Sequence, residues 1–409
     1  MTLATLSSTV ASADAAATTP HTEPKLSRVL WKPRVLIVQR ILPHYRVPLF
    51  QELSRSHSMT VDVAYGRQRD GAALESVDHA EGIRTIPLRN SYLTVAGAER
   101  AVYQRGLSDV ILSQSYDVVI AEFNPRIVSN LFAYRSARRA DTSFIWWGHG
   151  MGPAAGRVTA RARLALARAA DAVIFYDDVQ AARFVALGLP SDHAFVAPNS
   201  IDTAAISALA QPPESGLRDR ILYVGRLVPE KKVDLLIRAF ALARTSFTHP
   251  QKLTIVGDGP ERPALKVLAD SLGVTADVEF TGPIYDQDRL APLFNASRMS
   301  VSPGAVGLAA VHSLAYGVPL ILADGEPHGP EASALKSGHN ALFFTAGQAD
   351  SLAAALVAVQ RDKQRWLSMA HAARETADRG FGLDRMTGAF ERAVEHVTRR
   401  ARRRSLADG

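Results

Sequence analysis

Two series of short β-branched runs, each run separated from the next by a helix-length stretch, constrain this chain more than any other feature. The first opens with Val35-Leu36-Ile37-Val38 and continues at 61–64, 118–121, 144–147 and 173–176. The second opens with Ile221-Leu222-Tyr223-Val224-Gly225 and continues at 253–256, 278–281, 299–302, 320–323 and 342–344. Short continuous apolar runs are the pattern of strands buried on both faces, as in a parallel sheet covered by helices. The stretches between them are helical in character. Segment 161–170 reads RARLALARAA, and Val233, Leu236, Ile237 and Phe240 form one apolar face after Pro229. The expected fold class is α/β, with two Rossmann-like doubly wound domains.

The length of 409 residues suits two domains, each of about 150–200 residues. Between the series lies the turn-rich stretch Gln211-Pro212-Pro213-Glu214-Ser215-Gly216. The expected divisions are a first domain at 34–205, a second at 206–380, and a C-terminal helix and basic tail at 381–409, helical over about 377–404. Residues 1–33 are rich in Ala, Ser and Thr and have no basic segment before an apolar core. They are expected to be a disordered tail and not a secretory signal.

In doubly wound sheets ligands bind beyond the carboxyl ends of the strands, so two such domains would face each other across a binding cleft. The motifs fall at those ends. In Gly225-Arg226-Leu227-Val228-Pro229-Glu230-Lys231-Lys232, Arg226 leaves a strand and Lys231 opens the next helix. The two cations can hold a diphosphate, Arg as a fork and Lys as a point charge; they would also suit an ordinary solvated helix start. Val256-Gly257-Asp258-Gly259-Pro260 is a tight glycine turn. Ser302-Pro303-Gly304-Ala305-Val306-Gly307-Leu308 leads into a helix carrying His312. Free N–H groups there suit an anion, and His312 is placed to meet a ribose hydroxyl.

On the first domain, His149 in Trp147-Gly148-His149-Gly150 follows a strand, where it can serve as a polar or acid/base group. The loop His44-Tyr45-Arg46 after the first strand has no glycine-rich phosphate signature. It reads as acceptor-side, as does Glu122 in Glu122-Phe123-Asn124-Pro125-Arg126. Asp286-Gln287-Asp288 resembles a metal pair, but its place before a helix makes capping the simpler role. No metal or other cofactor is expected.

Composition removes several classes. The chain has no cysteine, which excludes disulfides, thiol catalysis and Cys-based zinc sites. The net charge is +7, and Arg399, Arg400, Arg402, Arg403 and Arg404 supply much of it in one run. Without interleaved aromatics such a run does not suggest nucleic acid; it suits an anionic membrane face or plain solvent. No apolar window reaches the length of about 18 residues needed to span a bilayer.

Taken together, the order GRL-x3-K, VGDGP, FTG and SPG-x2-GL-x8-GVP across roughly 220–345 resembles the retaining glycosyltransferases of family 4, which have the GT-B architecture. Ala197-Pro198-Asn199-Ser200-Ile201-Asp202 and the His149 loop extend the likeness more loosely into the first domain. The resemblance implies that Arg226 and Lys231 hold the donor diphosphate. It implies that Gly304, Ala305, Val306 and Gly307 contact donor sugar and phosphate through their backbone, and that His149 sits at the sugar face. The family's usual pair of glutamates aligns with Gly304 and His312, as in a subgroup with PG-x-VGL-x3-HSL-x-YG found among bacterial polysaccharide-building enzymes. Glu331 can then supply a nearby carboxylate. The implied activity is transfer of a sugar from a nucleotide diphosphate to a glycan or lipid-linked glycan, in the cytoplasm or peripherally at the inner membrane face. A non-catalytic sugar-nucleotide-binding subunit, and an epimerase or phosphorylase on the same scaffold, remain open at this point.

Overall fold

Each apolar run becomes a strand, and each helix-length stretch carries the chain back over the sheet so that successive strands lie parallel. The structure, a computed structural model, describes residues 31–68, 76–95, 98–152 and 156–407. The expected N-terminal tail lies outside the described residues as far as residue 30.

The first sheet contains β1 (Arg34–Gln39), β2 (Thr60–Gly66), β3 (Arg84–Val95), β4 (Ala98–Arg105), β5 (Val118–Glu122), β6 (Ser143–Gly148), β7 (Ala172–Phe175) and β8 (Ala194–Val196). Their order is β4-β3-β2-β1-β5-β6-β7-β8. The β3–β4 pair is antiparallel and the others are parallel. The second sheet contains β9 (Arg220–Val224), β10 (Lys252–Val256), β11 (Val278–Gly282), β12 (Ser297–Ser302), β13 (Leu320–Asp324) and β14 (Ala341–Thr345). It is wholly parallel in the order β11-β10-β9-β12-β13-β14. In both sheets the strand order reverses beside the first strand, which opens a crevice at the carboxyl ends between β1 and β5 and between β9 and β12.

The central strands are apolar on both faces because helices cover both. Val35 and Ile37 point into one cluster, Leu36 and Val38 into another. β3 and β4 show no apolar run because they form an exposed edge with Arg84, Arg89 and Glu99 among their residues.

The C-terminal segment departs from the expected continuous helix over 377–404. Two helices, Lys363–Gly380 and Leu383–Ala407, meet at a break around Phe381. There the Phe381 carbonyl accepts from the hydroxyls of Ser200 and Thr203, the latter at 3.4 Å. The second helix then returns to the first sheet. Met386, Ala389, Phe390, Ala393, Val394 and Val397, spaced as one helical stripe, enter the same cluster as Val35 and Ile37. Phe390 meets Trp147 edge to face, with 4.8 Å between centroids. The arginine run expected as a tail is the last turns of this helix.

Candidate active site

The carboxyl ends of the two sheets are joined across the crevice by side chains from both sides. His44, in the 3-10 turn after β1, lies edge to face with Tyr285 of the loop after β11, 5.3 Å between centroids. Tyr45 packs against the apolar cluster that holds Val306 and Val311. Asn199, beyond β8, donates from Nδ2 to Glu331 Oε1.

The residues expected on the donor side are held by the backbone. Lys231 ends the 3-10 turn Pro229–Lys231, and its Nζ donates to the Ala305 carbonyl. Burial first, then the charge of Arg226, lowers its pKa from the usual lysine value, while Glu331 and Glu230 act the other way. Arg226 is exposed, and its guanidinium has no hydrogen bond or ion pair among the described residues. The turn carrying both cations is pinned to the next βα loop, with Leu227 N–H donating to Asp258 O at 2.9 Å. Gly257 is required there: its φ is +143°, and a Cβ would lie 1.8 Å from the Gly225 carbonyl oxygen.

The loop 304–307 is clamped from a side that no local sequence pattern marks. Val306 N–H donates to His328 Nδ1 at 3.2 Å, and His328 Nε2–H donates to Ala323 O at 2.7 Å. Gly329 N–H donates to Val306 O at 2.7 Å. On the other side the loop touches the Lys231 turn. A Cβ on Gly304 would lie 2.2 Å from the Glu230 carbonyl oxygen and 2.9 Å from the Lys231 carbonyl carbon. This contact gives a physical reason why glycine stands where the family usually has glutamate. Gly304→Ala is therefore expected to cost about 2 kcal/mol, because the crowding atoms are backbone and do not swing aside. Gly304→Glu, which restores the family residue, is expected to lower donor affinity instead of raising it. Unfolding midpoints and donor titrations measure both effects, and a wild-type midpoint for Gly304→Ala would refute the crowding argument.

His312 lies in the helix Ala309–Ala315 with its ring stacked near Phe294, and its Nε2 pairs with Gln287 Oε1 at 3.1 Å. Burial, with His44 opposite, lowers its pKa to about 4. The ribose contact expected of His312 thus competes with Gln287 for Nε2. Asp286 caps the helix Gln287–Asn295 by accepting from Asp288 N–H at 2.9 Å.

His149 sits beyond β6, exposed at the cleft surface, 4.6 Å from the Tyr176 ring. Desolvation, then Arg46 and Arg163, lower its pKa to about 4. Its imidazole is therefore neutral at neutral pH, which makes it a hydrogen-bonding group and not a proton donor in the imidazolium form.

Two residues expected to serve acceptor or donor turn out to be buried. Arg46 is 6% exposed. Its guanidinium lies 4.3 Å from the Trp147 ring centroid, and its Nη2 donates to Tyr176 Oη at 2.7 Å and Asn199 Oδ1 at 3.0 Å. It faces protein on all sides and so is a bracing cation rather than an acceptor contact. Glu331 is 3% exposed; Oε1 accepts from Asn199, and Oε2 has no partner among the described residues. Burial raises its pKa, while Asn199, Arg46 and Lys231 lower it. Glu122, at the end of β5, accepts from Arg40 N–H at 2.6 Å, and burial raises its pKa too. Arg46, Asn199, Glu331 and Lys231 thus form an electrostatic chain from the first sheet to the donor-side turn. A cavity of about 580 Å³ opens behind it, lined by Tyr176, Asn199, Glu331, Lys336 and Arg379 and by neither Arg226 nor the 304–307 loop.

Residues 209–377 match the model of a family described as Glycosyl transferases group 1. Among curated relatives, the chain is 27% identical over 346 residues to the GDP-mannose-dependent alpha-(1-6)-phosphatidylinositol monomannoside mannosyltransferase of Mycobacterium tuberculosis, covering 79% of this chain and 85% of that one. It is 31% identical over 203 residues to an exopolysaccharide phosphotransferase of Streptomyces coelicolor, covering 48% of this chain and 21% of that protein. The chain spans less than half the length of the first curated relatives it matches. Among solved structures, HepE of Anabaena in complex with UDP superposes with a TM-score of 0.65 at 18% identity, over 89% of this chain and 99% of that one. That likeness establishes the GT-B fold.

Proposed function

We infer that this chain, a GT-B glycosyltransferase whose C-terminal half carries the group 1 family match, moves a hexose from a nucleoside diphosphate to a hydroxyl of a glycan or lipid-linked glycan. What supports the reading is the contact of Lys231 with the clamped 304–307 loop at the carboxyl end of the second sheet, with the charge of Arg226 acting on the same ammonium. As the glycosidic bond breaks, negative charge grows on the leaving diphosphate. Arg226 and Lys231 stabilise it, and the fixed backbone of the loop adds dipoles that need no rearrangement. The side chains supply this charge, so the reading requires no metal ion. His149, neutral at the facing rim, hydrogen-bonds the donor sugar near the reacting carbon. His44, Tyr45 and Glu122 border the acceptor side. Retention of configuration follows the family resemblance. A lipid-linked acceptor accords with the mycobacterial relative, and would place the enzyme peripherally at an anionic membrane face. No helix among the described residues is long and apolar enough to cross a membrane.

A thermal-shift series with UDP-, GDP- and ADP-sugars, on the wild type and on Arg226→Ala, tests the reading. Stabilisation by one nucleotide class, diminished in the variant, is expected. The absence of any shift at millimolar ligand would overturn it.

A further inference from the structure

The final helix builds a second pocket at the opposite edge of the first sheet. The 3-10 turn Ser191–His193 precedes β8 and so lies at the amino end of the strands, whereas the cleft lies at their carboxyl end. Between this turn and the helix Leu383–Ala407 is a cavity of about 560 Å³. His193 lines it, together with Arg392, Arg399, Arg400 and Arg403 of the helix. The carboxylates on its wall are Asp192 and Glu395, and Glu395 is paired with Arg399 at 2.5 Å. The wall therefore keeps an excess of positive charge.

His193 determines which sign of ligand fits. It is 8% exposed, and its Nε2 faces Arg400 Nη1. A guanidinium only donates, so Nε2 is the lone-pair side and the ring proton sits on Nδ1. That Nδ1 has no hydrogen-bond partner among the described residues. A buried N–H left unpaired is costly, and an oxygen ligand that meets it as the ring turns toward the pocket would satisfy it. Asp192, His193 and His396 come within 4.8 Å of one another and resemble a metal triad. A protonated Nδ1 cannot ligate a cation, however, and the surrounding arginines repel one. Arginines in a helix's last turn also complement its dipole. That explanation serves Arg403, but Arg392 lies about four turns from the end.

We propose that His193, Arg392, Arg400 and Arg403 form a binding site for a phosphate group. Phosphate presents several acceptor oxygens to guanidinium forks and to one buried imidazole N–H. The volume exceeds that of the ion alone, so the group is either free phosphate or the head of a larger molecule such as a lipid phosphomonoester.

The test uses the full chain carrying Arg226→Ala and Lys231→Ala, so that both cations of the proposed diphosphate site are gone. Inorganic phosphate is titrated calorimetrically against chloride at constant ionic strength, with and without Arg392→Ser plus Arg403→Ser, two exposed positions. Saturable phosphate binding, weakened about tenfold or more in the double variant, is expected. A parallel arm sediments the protein with phosphatidylcholine vesicles containing phosphatidic acid or, at matched surface charge, phosphatidylglycerol. Preference for phosphatidic acid, competed by phosphate, identifies a lipid headgroup; phosphate binding without vesicle preference identifies a free phosphate. Phosphate heats no larger than those of chloride, or binding unchanged in the double variant, would overturn the site. Zinc bound more tightly than phosphate and lost in His193→Asn would overturn it in favour of the metal triad.

Discussion

Replacing Arg46 with methionine is expected to destabilise the folded chain by about 3–5 kcal/mol, the penalty for removing one partner from a buried charge network. Arg46 is enclosed by Trp147, Tyr45 and Tyr176, and its charge holds down the pKa values of Glu122 and Glu331, which burial raises. Methionine fills part of the volume but leaves both carboxyls without that charge. It also leaves Asn199 Oδ1 and Tyr176 Oη without their donor. Lysine is not expected to rescue, because one ammonium cannot stack on Trp147 as the planar guanidinium does. The pH dependence identifies the cause. A carboxyl whose folded pKa is raised above its unfolded value penalises folding when ionised, and that penalty fades as pH falls and the group takes up a proton. The deficit of Arg46→Met should therefore shrink between about pH 7 and pH 5. Chemical unfolding midpoints at both values measure it. A deficit below about 1 kcal/mol, or one independent of pH, would show that Arg46 is merely a packed side chain.

How far this site could be read from sequence depended on the range of the contacts. The strands of both sheets, and the positions of Arg226, Lys231 and His149 at strand ends, were legible because each rests on a local pattern. β3, β4 and β8 were not: β3 and β4 form an exposed antiparallel pair with no continuous apolar run, and β8, Ala194–Val196, is only three residues long. The helix break at Phe381 has a local signal in the flanking Gly380 and Gly382, which a reading by apolar periodicity passes over; Ser200 and Thr203, far away in the chain, then hold the turn through the Phe381 carbonyl. The Asn199–Glu331 bond joins residues 132 positions apart, and nothing near either one signals it. The same holds for His328: it was unremarkable in a polar loop, and only the fold brings it to Val306. The place of Arg46 just after a strand suggests an acceptor contact. Residues in such loops face either the cleft or the protein, and only the ring of aromatics around Arg46 shows which.

Replacing Lys231 with alanine should reduce kcat/KM by about 10²–10³, the range for removing one preorganised donor from a site of developing negative charge. Arg226 and Lys231 are not equivalent, although the sequence presents them as a pair. Arg226 is exposed and, among the described residues, without a hydrogen-bond or ion-pair partner, so its charge is screened, and on the proposed reading its fork would close only on an arriving diphosphate. Arg226→Ala should thus act mainly on donor KM, by about tenfold. Lys231 is partly buried, already oriented by the Ala305 carbonyl, and lies in the field of Glu331. Its ammonium is fixed before the charge develops, so its loss should fall chiefly on kcat. Steady-state kinetics of the two variants with the donor chosen by thermal shift separate these effects. If both variants changed only KM, the site would bind the diphosphate without favouring its departure, and the catalytic role given to Lys231 would be wrong. A lower kcat for Lys231→Ala, with near wild-type donor binding, would mean that its charge acts where the glycosidic bond breaks.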